Sequence, residues 1–116
     1  MARAGDVGVI GIRAHAAGSL TDRLDRDSAP DSDVARDHQR AMSLAPLLLD
    51  RYSTLSQAAL RFCLDNPDIS TVAPGFKSVA EVEESAACSD LPSIDAATTD
   101  KLSALFRTFY HNRFAQ

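Results

Sequence analysis

The chain lacks what several function classes require. None of its apolar runs approaches the roughly 20 residues that cross a bilayer, so no membrane segment is expected. The first residues, Met1-Ala2-Arg3-Ala4-Gly5-Asp6, have no long apolar stretch of the secretory kind. A cytoplasmic location is the expectation. Positive charge is also short: 12 Lys and Arg stand against 16 Asp and Glu, a formal net charge of −4. General nucleic-acid binding needs a basic face, and this balance argues against it. Cysteine is down to Cys63 and Cys88, too few for a zinc cluster and without CxxC spacing. Cys63 falls on a helical face and reads as a buried packing residue. A disulfide to Cys88 is the less favoured reading in a reducing compartment. The only tyrosines, Tyr52 and Tyr110, each sit near an expected helix end with no Lys–Asp constellation around them, so neither is given a catalytic role.

What is present fits one globular domain. The 116 residues allow one core, and 45% hydrophobic and 24% charged residues are ordinary values. The organising stretch is Ile69 to Glu81. Ile69-Ser70-Thr71-Val72-Ala73 reads as a short β-branched strand, and Pro74-Gly75 as a tight turn. Ser78-Val79-Ala80-Glu81 matches a capping box that opens a helix running to about Ala87. A glycine turn before a helix N-terminus offers backbone donors and the positive end of a dipole to a phosphate. Lys77 adds a full positive charge there.

Upstream, Val7-Gly8-Val9-Ile10-Gly11-Ile12 is apolar without polar alternation, the pattern of a strand covered on both faces. Arg13 to Leu20 follows as a loop of small residues, which either admit a close backbone approach or reflect an Ala-rich composition. Thr21 to Asp33 mixes charges of both signs and reads as an exposed, solvated loop. A helix is expected from about Val34 to Arg51, capped by Ser32 or Asp33, with Val34, His38, Met42, Ala45 and Leu49 on one face. His38 reads as a boundary residue and Met42 as core filler. Thr54-Leu55-Ser56-Gln57 is a second capping box, and Leu55, Ala58, Ala59, Phe62 and Cys63 form the inward stripe of its helix. Asn66-Pro67-Asp68 stops that helix. A last helix spans roughly Asp95 to His111, with Leu102, Leu105, Phe106 and Phe109 inward. The order strand, helices, strand, helix is the βα repeat of a parallel α/β fold.

Three stretches together resemble the aldo/keto reductases. Val9 to Leu20 resembles their seventh strand and its loop. Thr54 to Phe62 resembles the helix before their eighth strand. Ser70 to Ser78, with Glu81, Glu84 and Ser85, resembles the eighth strand and the cofactor helix. The likeness covers nearly the whole chain and keeps the family's order. It implies the C-terminal portion of a (β/α)8 barrel, with two parallel strands and about four helices, in place of the whole barrel of on the order of 250 residues.

The family reduces carbonyls with NADPH, so the resemblance implies NAD(P)H-dependent carbonyl reduction, or the reverse oxidation of an alcohol or sugar hydroxyl. It implies NADP as cofactor, with NAD possible. Gly75, Phe76 and Lys77 would lie along the adenosine phosphate, and Glu84 would match the adenine-binding Glu. Ser85 stands where Asn is usual, which weakens one amide contact. Glu81 stands where Gln or Arg is frequent; a carboxylate there disfavours a 2′-phosphate, although the capping box already explains it. Arg13 replaces a common Ser, and either meets the pyrophosphate or forms a structural salt bridge. His15 replaces a common Leu. The family's catalytic Asp, Tyr, Lys and His come from its first four strands, which have no counterpart here. The expected partners are the dinucleotide and either the N-terminal part of a barrel from another chain or a second copy. The rival readings are a non-catalytic nucleotide-binding or interaction module, and a truncated inactive fragment.

Overall fold

Two short strands, Ile10–Ile12 (β1) and Thr71–Ala73 (β2), pair in parallel, with Ile10 beside Thr71, Gly11 beside Val72 and Ile12 beside Ala73. This computed structural model describes residues 2–22 and 29–110, with the Tyr110 side chain left aside. Residues 23–28 of the loop expected over 21–33 and the end of the last helix at His111 therefore lie outside the described residues.

Both strands are shorter than their apolar runs. The reason lies at Ser70, whose hydroxyl accepts the Val9 N–H at 3.0 Å, while the Ser70 N–H donates to the Val9 carbonyl at 2.9 Å. A side chain thus stands in for the ladder, and regular pairing begins one residue later. The expectation that β1 is covered on both faces fails as well: Ile10 is 66% and Ile12 70% exposed. A continuous apolar run states that a strand is suited to double burial; it does not supply the covering layer.

Four α-helices follow the expected order: α1 (Asp33–Leu48), α2 (Leu55–Leu64), α3 (Val79–Ala87) and α4 (Ala96–Tyr110). Helix α1 is capped by Ser32, whose hydroxyl accepts the Ala35 N–H at 3.2 Å. It stops at Leu48, short of the expected Arg51. Pro46 lacks an N–H and weakens the last turn. Ala41 and Leu48 are its buried residues, while Leu49, assigned inward by spacing, is exposed. In α2, Leu55, Ala58 and Leu60 are buried but Phe62 is not. In α4, which Asp95 opens by accepting the Thr98 N–H at 2.7 Å, Phe106 is likewise exposed.

The core sits between α1, α2 and the segment leading into α4. Leu48, Tyr52, Leu55 and Ala58 form its centre, with Leu44, Leu91, Ile94 and Leu102 packed around them. The Tyr52 hydroxyl donates to the Pro92 carbonyl at 2.6 Å, and burial pushes its phenol above the ordinary range. Tyr52 is thus a structural residue. A polar strut joins α2 to the chain before α4. Arg61 pairs with Asp65 at 2.8 Å and donates to the Cys88 carbonyl at 3.1 Å, while Asp65 accepts the Ile94 N–H at 2.8 Å. Burial works against the Asp65 carboxylate, but hydrogen bonds from Ile94, Ser93 and Arg61 outweigh it and hold its pKa below the usual range.

Both cysteines are free thiols. The expectation that Cys63 is buried is not met. Cys63 is only partly covered, whereas Cys88 is fully buried, with its thiol donating to the Glu84 carbonyl at 3.4 Å. Burial first, then the nearby Glu84 carboxylate, raises the Cys88 pKa.

Candidate functional site

The β1–α1 loop, the start of α2 and the β2–α3 connection meet around a cleft of about 600 Å³. Each wall is fixed by local chemistry.

The first wall is a loop of left-handed residues. Arg13, Ala16 and Ala17 have φ of 58°, 48° and 59°, and Gly18 has φ of 94°. Such angles suit glycine, and a side chain there costs on the order of 1–2 kcal/mol. Internal hydrogen bonds offset that cost. The Ala16 N–H donates to the Arg13 carbonyl and the Gly18 N–H to the His15 carbonyl, each at 2.9 Å, and the Thr21 hydroxyl donates to the Gly18 carbonyl at 2.7 Å. From α1, His38 reaches the carbonyl of buried Ser19 with Nδ1 at 3.1 Å. A carbonyl only accepts, so Nδ1 carries a proton. His38 is a bracket for the loop, in keeping with its reading as a boundary residue.

The second wall is the N-terminus of α2. The Thr54 hydroxyl accepts the Gln57 N–H at 3.1 Å and donates to Glu84. Asp22 accepts the Leu55 N–H at 3.1 Å. Part of the segment read as a solvated loop is thus a helix cap. Next along, Ser56 Oγ lies 2.9 Å from His15 Nε2.

The third wall leads into α3. No tight turn forms at Pro74-Gly75; the chain runs on without a turn to Phe76 and bends at Lys77 and Ser78. The bend sits there because the cap is there. The Ser78 hydroxyl accepts the Glu81 N–H at 3.2 Å, and the Glu81 carboxylate accepts the Lys77 N–H at 2.6 Å. The Glu thus reaches back one residue further than in the usual capping box. Two backbone donors that the sequence offered to a phosphate are therefore used within the protein. Gly75 is not left-handed, and a Cβ built on it meets no atom within 4 Å. The space beside it is open, and Gly75 lines the cleft.

All of Arg13, Gly75, Phe76, Lys77, Glu81, Glu84 and Ser85 line this cleft. Glu84 and Ser85 are half-buried, while Arg13, Phe76 and Lys77 are exposed at its margin. The structure adds His15, Asp22, Thr54 and Ser56 to the lining. In the sequence, Thr54 and Ser56 are legible only as the opening of a helix. Among the described residues no group of His, Cys, Asp and Glu is arranged to hold a metal ion, and no helix is long and apolar enough to cross a membrane.

The chain matches the sequence profile described as the aldo/keto reductase family over residues 1–105. No curated protein matches it. With the profile spanning nearly all of its length, the chain belongs to the aldo/keto reductase family.

Proposed function

We propose that this chain is the cofactor-holding, C-terminal part of an aldo/keto reductase barrel, comprising the last two βα units, and that its cleft takes the adenosine end of NADP, with NAD as a possible substitute. The family is one of oxidoreductases that generally use NAD(P)H. The observation that carries the reading is convergence: seven residues spread from Arg13 to Ser85 line one cleft. The residues present fit a dinucleotide. Gly75 leaves room for a phosphate against its backbone, Lys77 and Arg13 supply positive charge, and Ser85 and Glu84 supply hydrogen-bonding groups deeper in.

The bound cofactor supplies hydride for reduction of a carbonyl or accepts it from an alcohol or sugar hydroxyl. This chain's own residues bind and orient it. The left-handed loop carrying Arg13 keeps its shape through its own hydrogen bonds. Glu84 is oriented by the Thr54 hydroxyl. The proton donor for the carbonyl belongs, in this reading, to the early strands of the barrel and not to this segment. The rival reading, a non-catalytic nucleotide-binding module, shares the cleft and differs only in that missing half.

Fluorescence titration of the chain with NADPH tests the proposal. Saturable binding that Lys77→Ala weakens roughly tenfold supports it, since a charge-assisted phosphate contact contributes about 1.5–3 kcal/mol. Binding indifferent to Lys77 removes the phosphate role. Carbonyl-dependent NADPH oxidation by the purified chain would show that a proton donor lies within it after all.

A further inference from the structure

The charges that line the cleft do not favour an anion as they stand. The carboxylates of Asp22, Glu81 and Glu84 outnumber the cations Arg13 and Lys77. All three carboxylates are held in place, by the Leu55 N–H, the Lys77 N–H and the Thr54 hydroxyl respectively. The remaining ionisable group in the lining is His15, half-buried on the loop after β1. Histidine is the side-chain type whose charge ordinarily changes between about pH 5 and 8. One proton on His15 brings positive and negative groups in the lining to equal number.

We infer that His15 and Ser56 form a proton-gated phosphate-binding pair in this cleft, tightening dinucleotide binding when the imidazole is charged. The inference rests on the cofactor reading above. Its geometry is the 2.9 Å approach of His15 Nε2 to Ser56 Oγ. When Nε2 is unprotonated, it can only accept, so the Ser56 hydroxyl spends its single proton on it. When the ring is charged, Nε2–H donates to Ser56 Oγ, and the hydroxyl proton must turn elsewhere. The cleft lies beside it. A phosphate oxygen there gains a hydroxyl donor and a nearby positive charge together. Arg13 on the same loop, Asp22 after it, Lys77 before α3, and Glu81 and Glu84 on α3 are the other charged groups of the lining. The start of α2 contributes the neutral Thr54 and Ser56.

The test compares NADP⁺ dissociation constants at about pH 8.5 and about pH 5.5, either side of the ordinary histidine range. The intact chain, His15→Leu, His15→Gln and Ser56→Ala are measured, with folding checked by circular dichroism. The ligand's own 2′-phosphate gains protons alike in every sample, so the difference between proteins is what is read. On acidification, the parent chain should gain roughly fivefold in affinity over both His15 variants, and Ser56→Ala should keep only part of that gain. The Gln variant preserves a hydrogen bond to Ser56 without the charge, and carries the test should the Leu variant misfold. A His15→Gln profile parallel to the parent's overturns the pair while leaving the cofactor cleft standing. No NADP⁺ binding by the parent chain at either pH overturns the cofactor reading, and the pair with it.

Discussion

Glu81 accepts the backbone N–H of Lys77 at 2.6 Å, so the carboxylate that the family resemblance sets near a 2′-phosphate is also the one that bends the chain into α3. Glutamine accepts the same bond through its amide oxygen and suits the same capping position. Glu81→Gln should therefore keep the fold and remove one negative charge from the cleft. NADPH and NADH should both bind the same or somewhat tighter, with their ratio within about twofold, because the cap rather than the ribose holds this side chain. Dissociation constants for both cofactors check this; a selective gain for NADPH would show that the carboxylate faces the 2′-phosphate.

Thr54 does two jobs with one hydroxyl, accepting the Gln57 N–H at 3.1 Å and donating to Glu84. Among the described residues Ser78 does only the first, for Glu81. Removing a cap costs about 1 kcal/mol, and leaving a half-buried carboxylate without its donor adds to that. Thr54→Ala should lower the melting temperature more than Ser78→Ala, and should also weaken cofactor binding by freeing Glu84. Thermal melts and NADPH titrations of the two variants check both statements. Equal losses of stability would mean that the Thr54–Glu84 bond contributes nothing.

These local bonds explain which parts were legible in the sequence. The caps at Ser32, Thr54 and Ser78 join residues three apart, so their pattern lies within a few letters. Element order is legible in the local patterns, and the resemblance groups Arg13 with Gly75, Phe76, Lys77, Glu81, Glu84 and Ser85, which line one cleft. The His15–Ser56 pair joins residues 41 apart, and no local pattern announces it. The strands are shorter than their patterns suggest because the Ser70 hydroxyl, paired with Val9 across the sheet, takes the place of one rung. Phe62, Leu49 and Phe106 fall on the apolar stripes yet are exposed, because helical periodicity marks an apolar face without saying whether anything covers it.

The Asp65 strut predicts a response to acid. Its carboxylate is mostly covered, with 21% of the side chain exposed, and Arg61, Ser93 and Ile94 bond it. The folded pKa is held below the unfolded one. Its stabilisation is then complete above the ordinary carboxylate range and is lost as pH falls through the folded value. Urea midpoints should drop as pH falls below about 4, the ordinary carboxylate value. Asp65→Asn should lose on the order of 2 kcal/mol at neutral pH and show a shallower acid drop. An acid profile unchanged in Asp65→Asn would place that sensitivity elsewhere.

The open sheet carries the last prediction. Ile10 and Ile12 are 66% and 70% exposed, and Val7 beside them 60%. Ile12 also lines an apolar groove of about 840 Å³ with Leu44, Phe62 and Phe106, of which both phenylalanines are more than half exposed. Each buried methylene is worth about 0.8 kcal/mol, so water contact on this face is costly. Two parallel strands also leave backbone donors and acceptors along both outer edges. Among the described residues β1 and β2 pair only with each other. The purified chain should therefore self-associate unless a partner with complementary strands is supplied, and association should rise with concentration. Ile12→Lys places a charge at the junction of sheet and groove and should shift the distribution toward monomer, with little loss of α2 packing because the side chain is already in solvent. Sedimentation across a range of concentrations reads both effects. A monodisperse monomer with a sharp cooperative melt would mean that this face is satisfied within the single chain, and that the two βα units stand alone.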